Sequence, residues 1–295
     1  MAETGAIGIV GGTGLYDLDG LTDQRWVRID SPFGAPSDEL LFGKLGAQRV
    51  VFLPRHGRGH RIPPDEINYR ANIDALKRAG ATSVVSVSAV GSLRAELPPG
   101  TFVLVDQFID RTLRGPKSFF GTGLVAHVSM AHPTCGRLRG QLATAAGELA
   151  LPHQHGGTYV VMEGPQFSSL AESRMHIGLG ADVIGMTNMP EAKLAREAEL
   201  CYATVAMVTD FDCWHPDHDH VQVADVIKVM TANAQHARAL LARVISRLGG
   251  VEPCPHGCDR ALESAVMTAP EVRDPALVRK LDAVAGRVLQ PAVAS

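Results

Sequence analysis

Short apolar runs that end in glycine or polar residues recur along the chain. Ala6-Ile-Gly-Ile-Val10 stops at Gly11-Gly-Thr-Gly14, which predicts a buried strand ending in a tight turn. The pattern returns five times: Arg49 to Leu53 before Pro54-Arg-His-Gly57, Ser83 to Val87 before Ser88-Ala-Val-Gly-Ser92, and Thr158 to Met162 before Glu163-Gly-Pro165, then Asp182 to Gly185 before Met186-Thr187, and Ala203 to Val208 before Thr209-Asp-Phe-Asp212. Helical segments fall between several of these strands, at Asn68 to Arg78 ahead of Gly80 and at Pro190 to Leu200, where proline occupies a favoured helix start. From Val221 to Leu248, the positions Val223, Val226, Ile227 and Met230, then Leu240, Leu241, Val244 and Ile245, carry the spacing of a long amphipathic helix. Such alternation predicts an α/β fold, a single domain over residues 1–250 with a mixed, mostly parallel β-sheet flanked by helices and chemistry at the strand ends. After Gly249-Gly250 the composition turns Pro- and charge-rich. Residues 251–295 read as an extension, either a short helix or partly disordered, with no catalytic role.

Composition sharpens this picture by exclusion. In 295 residues, 45% are apolar and 20% charged, ordinary values for a chain that buries one substantial core. A net charge of −3 argues against a general nucleic-acid binder but leaves room for a local anion site. No run approaches the ~20 apolar residues of a membrane span. The start Met1-Ala-Glu-Thr-Gly5 lacks the features of a secretion signal, so the chain reads as cytoplasmic. Five cysteines do not resemble a secreted disulfide framework. Cys135, Cys201 and Cys213 read as thiols. Cys254-Pro-His-Gly-Cys258 sits in a Pro/Gly-rich patch where two sulfurs can meet, and is taken as a pair of loop thiols rather than a disulfide.

Candidate chemistry gathers at the strand ends. Gly11-Gly-Thr-Gly14 lets backbone N–H groups approach an anion, with Thr13 adding a hydroxyl; a plain tight turn is the alternative. A dinucleotide fingerprint fails because Asp17 stands where the third glycine belongs, and no Gly-Lys-Ser/Thr follows for a P-loop. Arg55-His56 offers a planar cation and a second donor to one oxyanion, or else a solvated basic turn. Ser88-Ala89 and Thr187 supply hydroxyl and backbone donors. Asp210 and Asp212, at i and i+2, share one face of a strand and can meet one polar ligand edge. A departing purine needs a proton or hydrogen bond at N7, and an exocyclic amine needs an acceptor; like-charge proximity favours one protonated member of the pair. A solvated acidic turn is the bland alternative, and these ligands are too few for a metal. His215, His218 and His220 fit no zinc spacing and read as a mobile polar loop. No metal site is expected.

Taken in order, nine segments resemble the 5′-methylthioadenosine phosphorylase branch of the purine nucleoside phosphorylase family: Gly11-Gly-Thr-Gly-Leu15, Ser31-Pro-Phe-Gly34, Arg55-His-Gly57, Asn68-Tyr-Arg-Ala-Asn72, Ala89-Val-Gly-Ser-Leu93, Asp106-Gln-Phe-Ile-Asp-Arg111, Glu163-Gly-Pro165, Gly185-Met-Thr187 and Thr209-Asp-Phe-Asp-Cys-Trp214. The resemblance runs from Ile7 to about Leu248 and implies a nucleoside phosphorylase fold with a partly barrel-like sheet. It implies that Thr13, Arg55, His56, Ser88, Ala89 and Thr187 hold phosphate, that Met186 contacts the ribose, that Phe167 stacks on the base and that Ser168 lines the pocket. Asp210 and Asp212 are implied at N7 and the 6-amino group. An apolar 5′ wall would come from Val221, Val223, Val226 and Ile227, and His127 resembles a residue contributed by a neighbouring subunit. The implied reaction is reversible phosphorolysis of methylthioadenosine to adenine and 5-methylthioribose 1-phosphate in purine and methionine salvage. Phosphate is a co-substrate, no cofactor is needed, and the assembly is a homotrimer or a dimer of trimers. The aspartates favour 6-aminopurines, because a 6-oxo group needs a donor there. The rivals are a phosphorylase of 6-oxopurine nucleosides or of other 5′-substituted adenosines, a hydrolase using water, and a non-catalytic nucleoside-binding protein. Arg55→Ala is expected mainly to weaken phosphate saturation.

Overall fold

The computed structural model describes residues 5–12, 14–15, 17–216, 223–248 and 253–289, without the side chains at 223–226 and 228. Its strands are β1 (Ala6–Gly11), β2 (Leu21–Val27), β3 (Leu40–Leu45), β4 (Gln48–Pro54), β5 (Ala81–Ser92), β6 (Phe102–Val105), β7 (Gln107–Asp110), β8 (His153–His155), β9 (Thr158–Val161), β10 (Val183–Gly185) and β11 (Cys201–Asp210). Its helices are α1 (Tyr69–Arg78), α2 (Gly136–Glu148), α3 (Leu170–Gly178), α4 (Asn188–Glu197), α5 (Val223–Ile245), α6 (Pro275–Lys280) and α7 (Asp282–Leu289).

The centre of the sheet is parallel: β4 and β5 flank β1, and β11 runs along the other edge of β5. These strands are covered on both faces, which is why β1 and β11 read as unbroken apolar runs rather than alternating ones. The order is β2-β3-β4-β1-β5-β10-β9-β7, with β11, β6 and β8 branching from β5. β1 leaves β5 at Ser86, and β10 takes over that edge at Gly91 and Ser92. A twelve-residue strand thus serves two successive neighbours on one side. The sheet forks and stays open, which corrects the barrel-like part of the expectation.

Helices α1, α4 and α7 cover one face through Ile73, Leu76, Leu194 and Val284; α2 and α5 cover the other through Leu138, Leu142, Leu240, Leu241 and Val244. The Asn68 side chain caps α1 by accepting from the Ala71 N–H at 3.1 Å. In α4 the backbone at Met189 is non-helical, so Pro190 opens the regular part as its position predicts; the helix ends at Glu197, short of Leu200, and Glu199 has a φ of 53°. Helix α5 begins two residues after the expected Val221 and ends three before Leu248. Residues 253–289 hold two 3₁₀ turns, Cys258–Arg260 and Pro270–Val272, besides α6 and α7. Their Leu262, Leu281, Val284 and Ala285 are buried with the main core.

Glu197, at the end of α4, is buried while its two oxygens accept from the Ser118 hydroxyl and the Phe119 N–H, both at 2.7 Å. Burial outweighs those donors and pushes its pKa from 4.5 up to about 7. The folded chain therefore keeps this proton to higher pH than the unfolded chain does. The stability so gained is complete below the ordinary glutamate range and is lost as pH rises through about 7. Urea titrations from acid to neutral pH should show Glu197→Gln flattening that decline, by at most about 3 kcal/mol. Parallel curves for the two proteins would refute it.

Candidate functional site

The C-terminal ends of β1, β4, β5, β9, β10 and β11 open on one cavity of about 520 Å³. Arg55, His56, Ser88, Ala89, Phe167, Met186, Thr187, Asp210, Asp212 and Ile227 all line it, so most of the residues predicted from the strand ends meet. Four predicted residues fall outside the description: Thr13 and Val221 entirely, and Val223 and Val226 in their side chains. His218 and His220 also lie outside it, while the His215 ring stacks on Phe211 at 4.6 Å.

The strand expected to stop before Ser88 runs on to Ser92, so Ser88 lies within β5, and Thr187 follows β10, yet their hydroxyl oxygens are 2.9 Å apart. Tyr159 joins them, its hydroxyl 3.2 Å from Ser88. Glycine is required at 185 for this approach, since a Cβ there would lie 2.1 Å from the Tyr159 hydroxyl oxygen. Ser88 and Thr187 present two neutral hydroxyls to the cavity as donors for an oxyanion, with the buried Tyr159 hydroxyl behind them.

Arg55 takes part differently from the expectation. Its guanidinium is buried and bonded to Glu191 of α4 through Nε and Nη2, at 2.8 and 3.1 Å. Nη2 also donates to Ser86 at 2.6 Å, and Nη1 donates to the Val87 carbonyl at 3.0 Å. Burial opposes both charges, but each partner outweighs it, raising the Arg55 pKa and lowering that of Glu191. Arg55 is the charged half of a buried pair, and removing it strands Glu191 instead of cleanly weakening an anion site. His56 differs from a ready donor in its protonation. Burial and then the charge of Arg55 push its pKa down to about 4, so the ring is neutral at pH 7. Its Nδ1 lies 2.9 Å from the Ile62 carbonyl, which assigns the proton to Nδ1 and makes Nε2 an acceptor. A neutral His56 in that tautomer offers an anion no N–H; Nε2 gains one only by taking up a proton.

Asp210 ends β11, but Asp212 lies two residues past it, which corrects the expectation that the pair share one face of a strand. A register shift between Val208 and Asp210 sets Asp210 opposite Gly91, where a Cβ would lie 2.9 Å from Asp210 Oδ1. Asp210 accepts from the Thr209 hydroxyl at 2.7 Å and from the Asp212 N–H at 2.8 Å. Asp212 turns back with a φ of 53°. Burial is the main cause raising both pKa values; the charge of Asp212 adds only a minor push on Asp210, a smaller part than the sequence reading gave it. Ser173 and Ser168 beside Asp212 oppose its shift.

Two expected residues do not line the cavity. Ser168 is buried behind it, its hydroxyl 3.7 Å from Met162 Sδ and its carbonyl accepting from Cys213 at 3.3 Å. His127 lies exposed on its own chain, its N–H donating to the Ala265 carbonyl at 2.8 Å. Sequence reasoning missed Met162, Ile184, Met207, Met230, Thr231, Ala234 and Arg238 in the lining. The α5 members were accessible to it, because Ile227, Met230, Thr231, Ala234 and Arg238 follow one helical stripe. It also missed Arg114, a buried guanidinium donating to the carbonyls of Pro64, Met162, Glu163 and Met186 and so fixing the loops after β9 and β10.

A family model described as the phosphorylase superfamily matches residues 6–246. The chain is similar to S-methyl-5′-thioadenosine phosphorylase of Bradyrhizobium diazoefficiens, 62% identical over 285 residues, or 96% of this chain and 98% of that one. It is 60% identical to the protein of the same name from Cereibacter sphaeroides, with the same coverage of 96% and 98%. Among solved structures, a methylthioadenosine phosphorylase from an Antarctic soil metagenomic library matches with a TM-score of 0.88 at 44% identity, over 95% of this chain and 99% of that one. The methylthioadenosine phosphorylase of Schistosoma mansoni in complex with adenine matches with a TM-score of 0.77 at 38% identity, over 82% and 91%.

Proposed function

The chain belongs to the phosphorylase superfamily, and from that footing we propose that it is an S-methyl-5′-thioadenosine phosphorylase, a pentosyltransferase that splits methylthioadenosine with phosphate into adenine and 5-methylthioribose 1-phosphate. The observation that carries this reading is the single cavity in which a cluster of hydroxyl donors meets two carboxyls of raised proton affinity. Phosphate is held by the Ser88 and Thr187 hydroxyls and the Ala89 backbone, with Thr13 from the glycine turn completing the set. His56 binds it through a proton on Nε2, drawn in by the anion's charge or carried by the phosphate itself. Arg55, locked to Glu191, supplies a fixed positive field rather than a mobile clamp.

As the glycosidic bond breaks, positive charge develops on the ribosyl ring and electrons move onto the base. Asp210 supplies a proton or hydrogen bond to N7, and Asp212 accepts from the 6-amino group. Phosphate oxygen then bonds to C1′. Positioning and electrostatics account for the rate, and no step calls for a cofactor. Met186 and Phe167 border the ribose and base. Ile227 and Met230 present the apolar wall that favours a methylthio over a hydroxyl group, by about 1–3 kcal/mol.

Phe167 is 48% and Ile227 56% exposed although both line the cavity, and His127 is exposed outside the lining of its own chain's cavity. These support an assembly, a homotrimer or a dimer of trimers, in which a neighbour's His127 and its surroundings close the 5′ side. Among the described residues no helix is long and apolar enough to cross a membrane. A cytoplasmic role in purine and methionine salvage, with no nucleic-acid or membrane partner, accords with the small-molecule chemistry.

Adenine release should require phosphate, and Ser88→Ala should raise the KM for phosphate about ten- to a hundredfold, the loss of one hydrogen bond to an anion, with a smaller effect on the KM for methylthioadenosine. Equal release in phosphate-free buffer would make the enzyme a hydrolase, and faster cleavage of inosine or methylthioinosine would reverse the roles given to Asp210 and Asp212.

A further inference from the structure

None of the five cysteines lines the cavity, and the fold gathers four of them. The Sγ atoms of Cys135, Cys201, Cys254 and Cys258 all lie within 4.8 Å of one another, and none of the four residues is more than 3% exposed. Three separate segments deliver them. Cys135 precedes α2 and leaves its side chain out of the helix cap, while its N–H donates to the Tyr202 carbonyl at 2.7 Å. Cys201 opens β11. Cys254 and Cys258 flank a turn closed by the Gly257 N–H on the Cys254 carbonyl and by Asp259 Oδ2 on the Cys254 N–H, both at 2.9 Å.

We infer that this cluster is a structural zinc site in which four thiolates hold one Zn²⁺ tetrahedrally. Zn–S bonds of about 2.3 Å place the sulfurs of such a site about 3.8 Å apart. Cys135 and Cys254 stand at 3.6 Å, and the widest separations need to contract by only about 1 Å. A disulfide, at about 2.05 Å, demands larger movements and joins the sulfurs in pairs rather than at one point. The three residues between Cys254 and Cys258 fit the local spacing of a zinc ligand pair. An all-sulfur tetrahedron selects zinc or iron among divalent ions, and a closed, buried set with no open position suits the ion without redox chemistry. Each S–Zn bond replaces a thiol proton, which is released to solvent. Four thiolates and Zn²⁺ leave two negative charges; the Arg137 guanidinium, with Nη2 3.6 Å from Cys201 Sγ, offsets part of that. Cys201 and Asp210 occupy opposite ends of β11, roughly 30 Å apart along the strand. The ion therefore ties the segment after Cys254 to the base of the sheet and touches no reacting atom.

The test uses the full chain purified from zinc-supplemented culture. Elemental analysis should find one zinc per chain, and titration with p-mercuribenzoate should release it at about four equivalents, one per thiolate. Exchange with Co²⁺ should give the sulfur-to-metal charge-transfer absorption of a tetrahedral thiolate site. Cys254→Ser should lose most of the metal and melt at lower temperature, while turnover of the folded protein stays within about twofold, as expected for a group remote from the reaction. Should that variant fail to fold, the metal content and cobalt spectrum of the unaltered chain decide alone. Peptide mapping that finds these cysteines as disulfides, iron in place of zinc, or a reduced chain that leaves added Zn²⁺ unbound would each overturn the assignment.

Discussion

Asp210→Asn is expected to lower turnover of methylthioadenosine by about 10²- to 10⁴-fold, the usual contribution of a positioned general acid, with phosphate saturation nearly unchanged. The carboxyl is held by the Thr209 hydroxyl and the Asp212 N–H, and burial keeps its pKa above the ordinary aspartate value despite both donors. Asparagine keeps the shape and can accept one of those bonds, but it has no proton to pass to N7. The sign of the pH effect follows. A raised pKa means that the acid form persists above the ordinary aspartate range and is lost as pH rises through the folded value. Turnover of the unaltered protein should therefore decline on that alkaline side, and the Asn variant should lose this limb of the profile. Steady-state rates of adenine release across pH, at saturating phosphate, make the comparison. Turnover of the Asn variant within about threefold of the original would remove Asp210 from the mechanism.

The largest structural penalty should come from Glu191→Ala, a residue with no suggestive motif around it. Arg55 would remain charged and buried with its bidentate partner gone, a situation that costs about 3–5 kcal/mol. Ser86, Asn188 and Tyr202 converge on the same Glu191 oxygen, so three further donors would lose an acceptor. The midpoint of urea denaturation should fall accordingly, and Glu191→Gln should recover part of the loss by preserving the hydrogen bonds without the charge. A Glu191→Ala midpoint equal to that of the unaltered chain would mean that the pair carries no net stability.

Most of the architecture was legible because the central strands are buried on both faces and end in glycine or polar residues. β1, β4, β5, β9, β10 and β11 announce themselves in that way. β2 does not, since its central residues, Thr22 to Arg25, are all exposed and no alternation marks it. Nor do β7 and β8, none of whose residues is fully buried, whereas β6, Phe102–Val105, is a buried apolar run as legible as β9 that the pattern reading passed over. The same logic divides the site. Ser88 within β5, Thr187 just past β10, and Asp210 and Asp212 at and just past the end of β11 could be read locally, whereas the pairing of Arg55 with Glu191 spans 136 positions and that of Cys135 with Cys254 spans 119. Nothing local records such contacts. The tautomer and neutrality of His56 likewise depend on Ile62 and on burial, so a motif that identifies the residue does not fix its role.

Arg114 has a consequence for how the cavity is bordered. Its one guanidinium links the carbonyls of Pro64, Met162, Glu163 and Met186 and so cross-braces the rim after β9 and β10. Helix α5 is fastened differently: Asn233 donates to the Val208 carbonyl and Arg238 to that of Gly14, and both anchors lie beyond Ile227 and Met230. Ile227 and Met230 thus meet the cavity on the N-terminal side of both α5 anchors, whereas the opposite rim is pinned at four carbonyls by a single side chain.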